Sequence, residues 1–139
     1  MKVHHIGYLV NQIDAAVTKF ETQGFQIEVE KFYVEDRKQW NVFMKNDHTR
    51  LELIQSDIKD ADGTKNAGVG GMASALVGGV GPYHICYESD CFEEDIKKLR
   101  KGGFLPISKV EREPAIHNGR LQFFYSSQVG IVEIMESKP

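Results

Sequence analysis

The sequence has too little cysteine to build a disulfide framework. Its 139 residues include two, Cys86 and Cys91, at a spacing that is neither a metal-type nor a redox CxxC pair. The opening MKVHHIGYLV carries no signal-peptide pattern. With neither disulfides nor export signal, a reducing cytoplasm is the expected compartment. No apolar run approaches the roughly 20 residues that span a bilayer, so no membrane partner is expected. Charge of one sign is also missing. Seventeen Lys and Arg stand against twenty Asp and Glu, mixed along the chain, for a net charge of −3. No basic face of the kind a phosphate backbone requires can form, which excludes nucleic acid as a partner. A composition of 41% hydrophobic and 27% charged residues is ordinary globular chemistry and excludes a long disordered tail. The length suits a single domain.

What the sequence does have is an internal repeat. Residues 1–55 and 81–136 read as two copies of one pattern. The first opens HHIGYLVNQIDAAVTKFETQGF, the second YHICYESDCFEEDIKKLRKGGF. With His5 set on His84, Gly24 falls on Gly103 and Phe25 on Phe104 without a gap. Each copy closes on an apolar segment with one glutamate, Glu52 in LELIQ and Glu133 in VEIME. HHIGYLV reads as a strand. Residues 14–23 and 92–101 carry one apolar helical face, and glycine follows each as a stop. Strand-like pieces follow at 25–34, 39–45 and 49–55, and again at 104–110, 121–126 and 130–135. Each copy is therefore predicted to be β-α-β-β-β. The connector, 56–80, is glycine-rich but lacks GxxxxGK[ST], so it is not a phosphate loop. It reads as a linker, with a lid over a ligand as the alternative.

Alternation along the strands assigns their faces. Ile6, Tyr8 and Val10 fit beneath the first helix, which leaves His5 and Gly7 on the other face. By the same parity Ile85 and Tyr87 lie under the second helix, with His84 and Cys86 opposite. Leu51, Leu53, Val132 and Ile134 are core, so Glu52 and Glu133 share the face of the histidines. Any one of these residues alone would be ordinary. A strand histidine is usually a satisfied core or edge group, and a glutamate among leucines is usually a solvated sheet face. All four in equivalent positions of two repeats point instead to a site. If the copies pair by a pseudo-two-fold, His5, Glu52, His84 and Glu133 converge. Two imidazoles and two carboxylates suit one divalent ion: Zn, Co, Ni, Mn or Fe. His4 competes with His5 for the ligand role, and both alternation and repeat register favour His5. His48 and His117 fall in polar turns and match nothing in the other copy.

The segments HHIG, LELIQ, GPYHICYE and GIVEIME make the chain resemble the vicinal oxygen chelate superfamily, which includes glyoxalase I, methylmalonyl-CoA epimerase, extradiol dioxygenases and the bleomycin- and fosfomycin-resistance proteins. The likeness spans nearly the whole chain and is greatest to methylmalonyl-CoA epimerase-like and lactoylglutathione lyase-like proteins. It implies an α+β fold of two βαβββ modules forming a cupped mixed sheet, a metal held by the matching His and Glu positions, and a homodimer. It also implies a small-molecule substrate, such as an acyl-CoA or other thioester. The expected activity is that of a metal-dependent isomerase, epimerase or lyase, with Glu133 or Glu52 moving a proton next to a carbonyl. Glyoxalase I proper is one alternative, and a non-catalytic binding or resistance protein on the same fold is another. Two positions depart from the family patterns. The second catalytic glutamate of the epimerases aligns with Asn41, which cannot abstract a proton and is left as a substrate contact. Two glutathione-holding positions of glyoxalase I are Leu9 and Ser56 here. Of Arg37, Arg50 and Arg120, Arg120 is the expected substrate-binding anion anchor. Cys86 is read as a small apolar filler lining the cavity.

Overall fold

A computed structural model of the chain describes residues 1–58 and 79–139. Most of the connector, and with it the choice between linker and lid, lies outside the described residues. Eleven elements are described: β1 (Lys2–Leu9), α1 (Ile13–Glu21), β2 (Gln26–Val34), β3 (Gln39–Lys45), β4 (Arg50–Ser56), β5 (Gly81–Ser89), α2 (Phe92–Lys101), β6 (Leu105–Pro106), β7 (Glu111–Glu113), β8 (Gly119–Ser126) and β9 (Gly130–Glu136). The chain forms two compact units. One comprises Met1–His5 and His84–Pro139, the other Ile6–Tyr83. Among the described residues no helix is long and apolar enough to cross a membrane.

In the unit formed by Ile6–Tyr83, β1 pairs parallel with β4, β4 antiparallel with β3, and β3 antiparallel with β2. The other unit repeats this logic, with β5 parallel to β9, β9 antiparallel to β8, and β8 antiparallel to the short β6 and β7. A parallel first-to-last pair demands a crossover, and a helix supplies it in each copy. The helix packs its apolar stripe on one sheet face. Ile13 and Val17 of α1 meet Val42, Met44, Leu51 and Leu53. Phe92 and Ile96 of α2 meet Phe124, Val132 and Ile134.

Both helices stop in the same way. Gly24 and Gly103 sit at φ +90° and +92°. Phe25 N–H reaches back to the Phe20 carbonyl at 3.1 Å, and Phe104 N–H to that of Leu99 at 3.0 Å. These are six-to-one closures that require a left-handed residue and therefore favour glycine. The starts differ. Helix α1 begins at Ile13, one residue before the expected 14, because the Gln55 side chain of β4 accepts the Ile13 N–H at 2.9 Å. At the start of α2, Ser89 Oγ accepts the Cys91 N–H at 3.1 Å and donates to Asp95 at 2.6 Å. The Ser89 hydrogen bond outweighs burial and holds the Asp95 carboxyl below its ordinary value, as suits an acid in a helix's first turn.

Two expectations need correction. The single strand over 104–110 is instead the two-residue β6 and the separate β7. Pro106 has no N–H to extend a ladder, and Ser108 interposes its own groups. Its Oγ accepts Phe123 N–H and its carbonyl accepts the Gln122 amide, each at 2.9 Å. Ile85 does not lie under α2, since it is 40% exposed while Tyr87 packs against the α2 cluster. The two residues therefore differ in what they hold together. Ile134→Ala, at a fully buried position, should cost about 2–5 kcal/mol by urea denaturation, whereas Ile85→Ser should stay within about 0.5 kcal/mol of the parent.

Candidate metal centre

Three sequence-predicted residues meet in the unit formed by Met1–His5 and His84–Pro139. His5 comes from β1, His84 from β5 and Glu133 from β9. In the parallel β5–β9 pair, Cys86 faces Glu133 and His84 faces Ile131. His84 and Glu133 therefore share a face two residues out of step, which lets an imidazole lean over a carboxylate. His84 Nε2 lies 2.9 Å from Glu133 Oε2, His5 Nε2 lies 3.3 Å from the same oxygen, and the two Nε2 atoms are 3.3 Å apart. Side-chain exposure is 0% for each histidine and 3% for the glutamate. The Phe123 ring stands edge-on to His84 at 5.2 Å and walls the site.

The donor set can be tested against a cation. Donors about 2.1 Å from one ion lie about 3.0 Å apart at right angles and about 3.4 Å apart in a tetrahedron. The three edges here span that range. Glu133 Oε2 makes no hydrogen bond in spite of its close neighbours. Three buried donor atoms this close together suit a shared third body. Burial pushes the Glu133 carboxyl up, but the adjoining His5 and His84 imidazoles outweigh it and hold it well below the usual carboxylate range. The residues fit a divalent ion of the Zn, Co, Ni, Mn or Fe group.

Glu52 lies in the other unit, on β4, where it faces Gly7 of β1. The geometry parallels Cys86 facing Glu133, and each histidine sits two residues ahead of the position opposite its glutamate. Glu52 is 2% exposed and accepts a hydrogen bond from Asn41 Nδ2 at 3.4 Å. Asn41, fully buried, accepts in turn from Gln39 Nε2 at 2.9 Å. The sequence suggests Asn41 as a substrate contact; its amide is engaged on both sides by this relay. Gln39 was missed, although strand parity places it on the face of Asn41 and Phe43.

Arg120 is not brought to the triad. It lies on the opposite face of β8, on the side of α2. Its guanidinium meets Glu136 at 2.8 Å and Glu93 at 2.6 Å and lies 4.7 Å from the Phe92 ring centre. Glu93 and Glu136 were not singled out in the sequence. Arg50 pairs with Glu28 at 2.6 Å, and Arg37 sits in the turn between β2 and β3. His48 and His117 are exposed, as read. Cys86 is fully buried.

Residues 4–124 match the model of the Glyoxalase/Bleomycin resistance protein/Dioxygenase superfamily, and the chain belongs to that superfamily. Among solved structures it is similar to a Streptomyces coelicolor methylmalonyl-CoA epimerase variant in complex with 2-nitronate-propionyl-CoA, with a TM-score of 0.77 and 20% identity over 100% of this chain and 99% of that one. It is also similar to the Mycobacterium tuberculosis methylmalonyl-CoA epimerase (TM-score 0.75, 17% identity, 99% and 89% covered). A hypothetical protein from Bacillus halodurans C-125 is comparable (TM-score 0.76, 18% identity, 99% and 95% covered). At these identities the likeness establishes the fold, which is the α+β class the resemblance implies. No curated protein matches the chain.

The Arg120 cluster gives a pH dependence apart from the triad. Its guanidinium holds the Glu136 carboxyl down to about 2, from 4.5. A depressed carboxyl contributes stability that is complete above 4.5 and lost as pH falls toward 2. Thermal midpoints measured across that window should therefore fall less steeply for Glu136→Gln than for the parent. Parallel curves would show that the pairing contributes nothing.

Proposed function

We propose that the chain is a divalent-metal-dependent isomerase, epimerase or lyase that removes a proton from carbon next to a carbonyl or thioester. The observation that carries this reading is the buried His5–His84–Glu133 triad, with donor atoms 2.9–3.3 Å apart. Membership of the superfamily and a fold shared with methylmalonyl-CoA epimerases support an acyl thioester as the substrate class. In this reading His5, His84 and Glu133 hold one ion, and Glu52 is the fourth donor by its equivalence to Glu133 in the repeat. A bound ion of this kind supplies Lewis acidity to the substrate's carbonyl oxygen and so acidifies the adjacent C–H.

The two carboxylates are suited to different tasks. Glu133 is kept ionised by two imidazoles, which suits a ligand and makes a poor proton acceptor. Glu52 is held by a neutral amide, that of Asn41, with Gln39 behind it. We assign Glu52 as the base and the Gln39–Asn41 pair as its orienting support. The base is thus drawn from β4, since the aligned β3 position holds Asn41. A homodimer working in the cytoplasm accompanies this reading, on the family resemblance.

Protein dialysed against Co²⁺ or Ni²⁺ should retain about one ion per chain by elemental analysis. Glu133→Gln should lose most of it. Glu52→Gln should keep more of the metal yet lose roughly 10²–10⁴-fold in solvent-deuterium exchange into acyl-CoA thioesters or hemithioacetals, followed by NMR. Protein that stays metal-free and exchanges none of these substrates would instead be a binding protein on the same fold.

A further inference from the structure

The triad accounts for one nitrogen of His5, and the other is also engaged. Nδ1 of His5 lies 2.8 Å from Nδ1 of His4, with the rings nearly perpendicular at 79° and their centres 5.1 Å apart. His5 is 1% exposed and His4 half-buried. Two facing Nδ1 atoms at this distance share one proton, so one ring donates and the other accepts. The triad decides which. A proton on His5 Nε2 would gain no hydrogen bond at Glu133 Oε2, 3.3 Å away, and without it His5 Nε2 is the acceptor in its 3.3 Å contact with His84 Nε2. A proton on His5 Nε2 would also remove the lone pair that a cation needs. The His5 proton therefore belongs on Nδ1, the acceptor is His4 Nδ1, and the His4 proton sits on Nε2.

We infer that His4 is a positioning residue for the metal centre: it accepts the Nδ1–H of His5 and so fixes the tautomer and ring angle that present Nε2 to the ion. The role usually falls to a carboxylate or a backbone carbonyl, and such supports typically change metal affinity by about 10–100-fold. A neutral imidazole acceptor adds no charge, so the net charge around the ion is left to the carboxylates. This inference rests on the metal reading proposed above. Its chief competitor is Cys86, whose Sγ lies with the His4 and His5 donor atoms within a span of 4.8 Å and could make this a separate sulfur-containing site.

The test begins with the two-bond ¹H–¹⁵N NMR spectrum of the metal-free and Zn²⁺-loaded protein. His5 should be protonated at Nδ1 and His4 bare there. Co²⁺ and Zn²⁺ affinities are then measured by chelator competition. His4→Leu should bind about 10–100-fold more weakly. His4→Asn, whose Oδ1 can occupy the place of Nδ1, should return close to wild type, which a merely structural role would not produce. His4→Leu binding like wild type, or His5 protonated at Nε2, would overturn the inference. So would an intense thiolate-to-cobalt absorption band, which would put Cys86 on the ion. Wild-type protein that binds neither ion overturns the metal reading and this inference with it. Wild type that binds, with His4→Leu unchanged, overturns this inference alone.

Discussion

A carboxylate that is 3% exposed must be compensated by positive charge or give up its own. Removing such a charge from water costs several kcal/mol even after the surroundings relax. Two imidazoles crowd one oxygen of Glu133, His84 from its neighbouring strand β5 and His5 from the far N-terminal end of the chain, and they hold its carboxyl well below the ordinary range. The arrangement is rigid because each histidine is buried and each is held from the side, His84 by Phe123 and His5 by His4. A site assembled from strands in this way has little freedom to collapse, which is the precondition for holding a small cation with defined separations.

The core guarantees that these side chains point where they do. A register slip of one residue in β9 would turn Glu133 toward α2 and Ile134 away from it. Packing of Val132 and Ile134 against Phe92 and Ile96 makes that slip costly. The same argument fixes Glu52 through Leu51 and Leu53 against Ile13 and Val17. The helix stops at Gly24 and Gly103 then set how far each helix runs before the chain returns to the sheet. Buried apolar residues on one face thus specify the positions of polar residues on the other, and the polar groups do not have to direct their own placement.

This division explains how much of the molecule was legible. Parity and duplication are properties of spacing, so the β-α-β-β-β order, the α2 bounds and the facing of His5, Glu52, His84 and Glu133 could be read from residues alone. Features that depend on distant partners could not. The start of α1 is set by Gln55, which is 42 positions from Ile13. The break between β6 and β7 depends on Ser108 reaching Gln122 and Phe123 of another strand. Arg120 looked available as an anion anchor because its partners, Glu93 on α2 and Glu136 on β9, lie 27 and 16 positions away. The Gln39–Asn41–Glu52 relay was partly within reach. Alternation gives the shared face, but only the cross-strand register shows that Asn41 is engaged on both sides.

The duplication is symmetric in backbone and asymmetric in chemistry. Phe43 faces Glu52 as Phe123 faces Glu133. Two residues earlier on the same strands stand Asn41 and Leu121, and two before those, Gln39 and Gly119. One glutamate therefore has an amide relay along its neighbouring strand, and the other has a leucine and a glycine. An apolar flank leaves Glu133 dependent on the imidazoles, which lock it in the ionised form. An amide flank supports Glu52 through the hydrogen bond from Asn41. Two copies of one fold can in this way place two carboxylates equivalently in the backbone while giving them unlike neighbours along the adjoining strand.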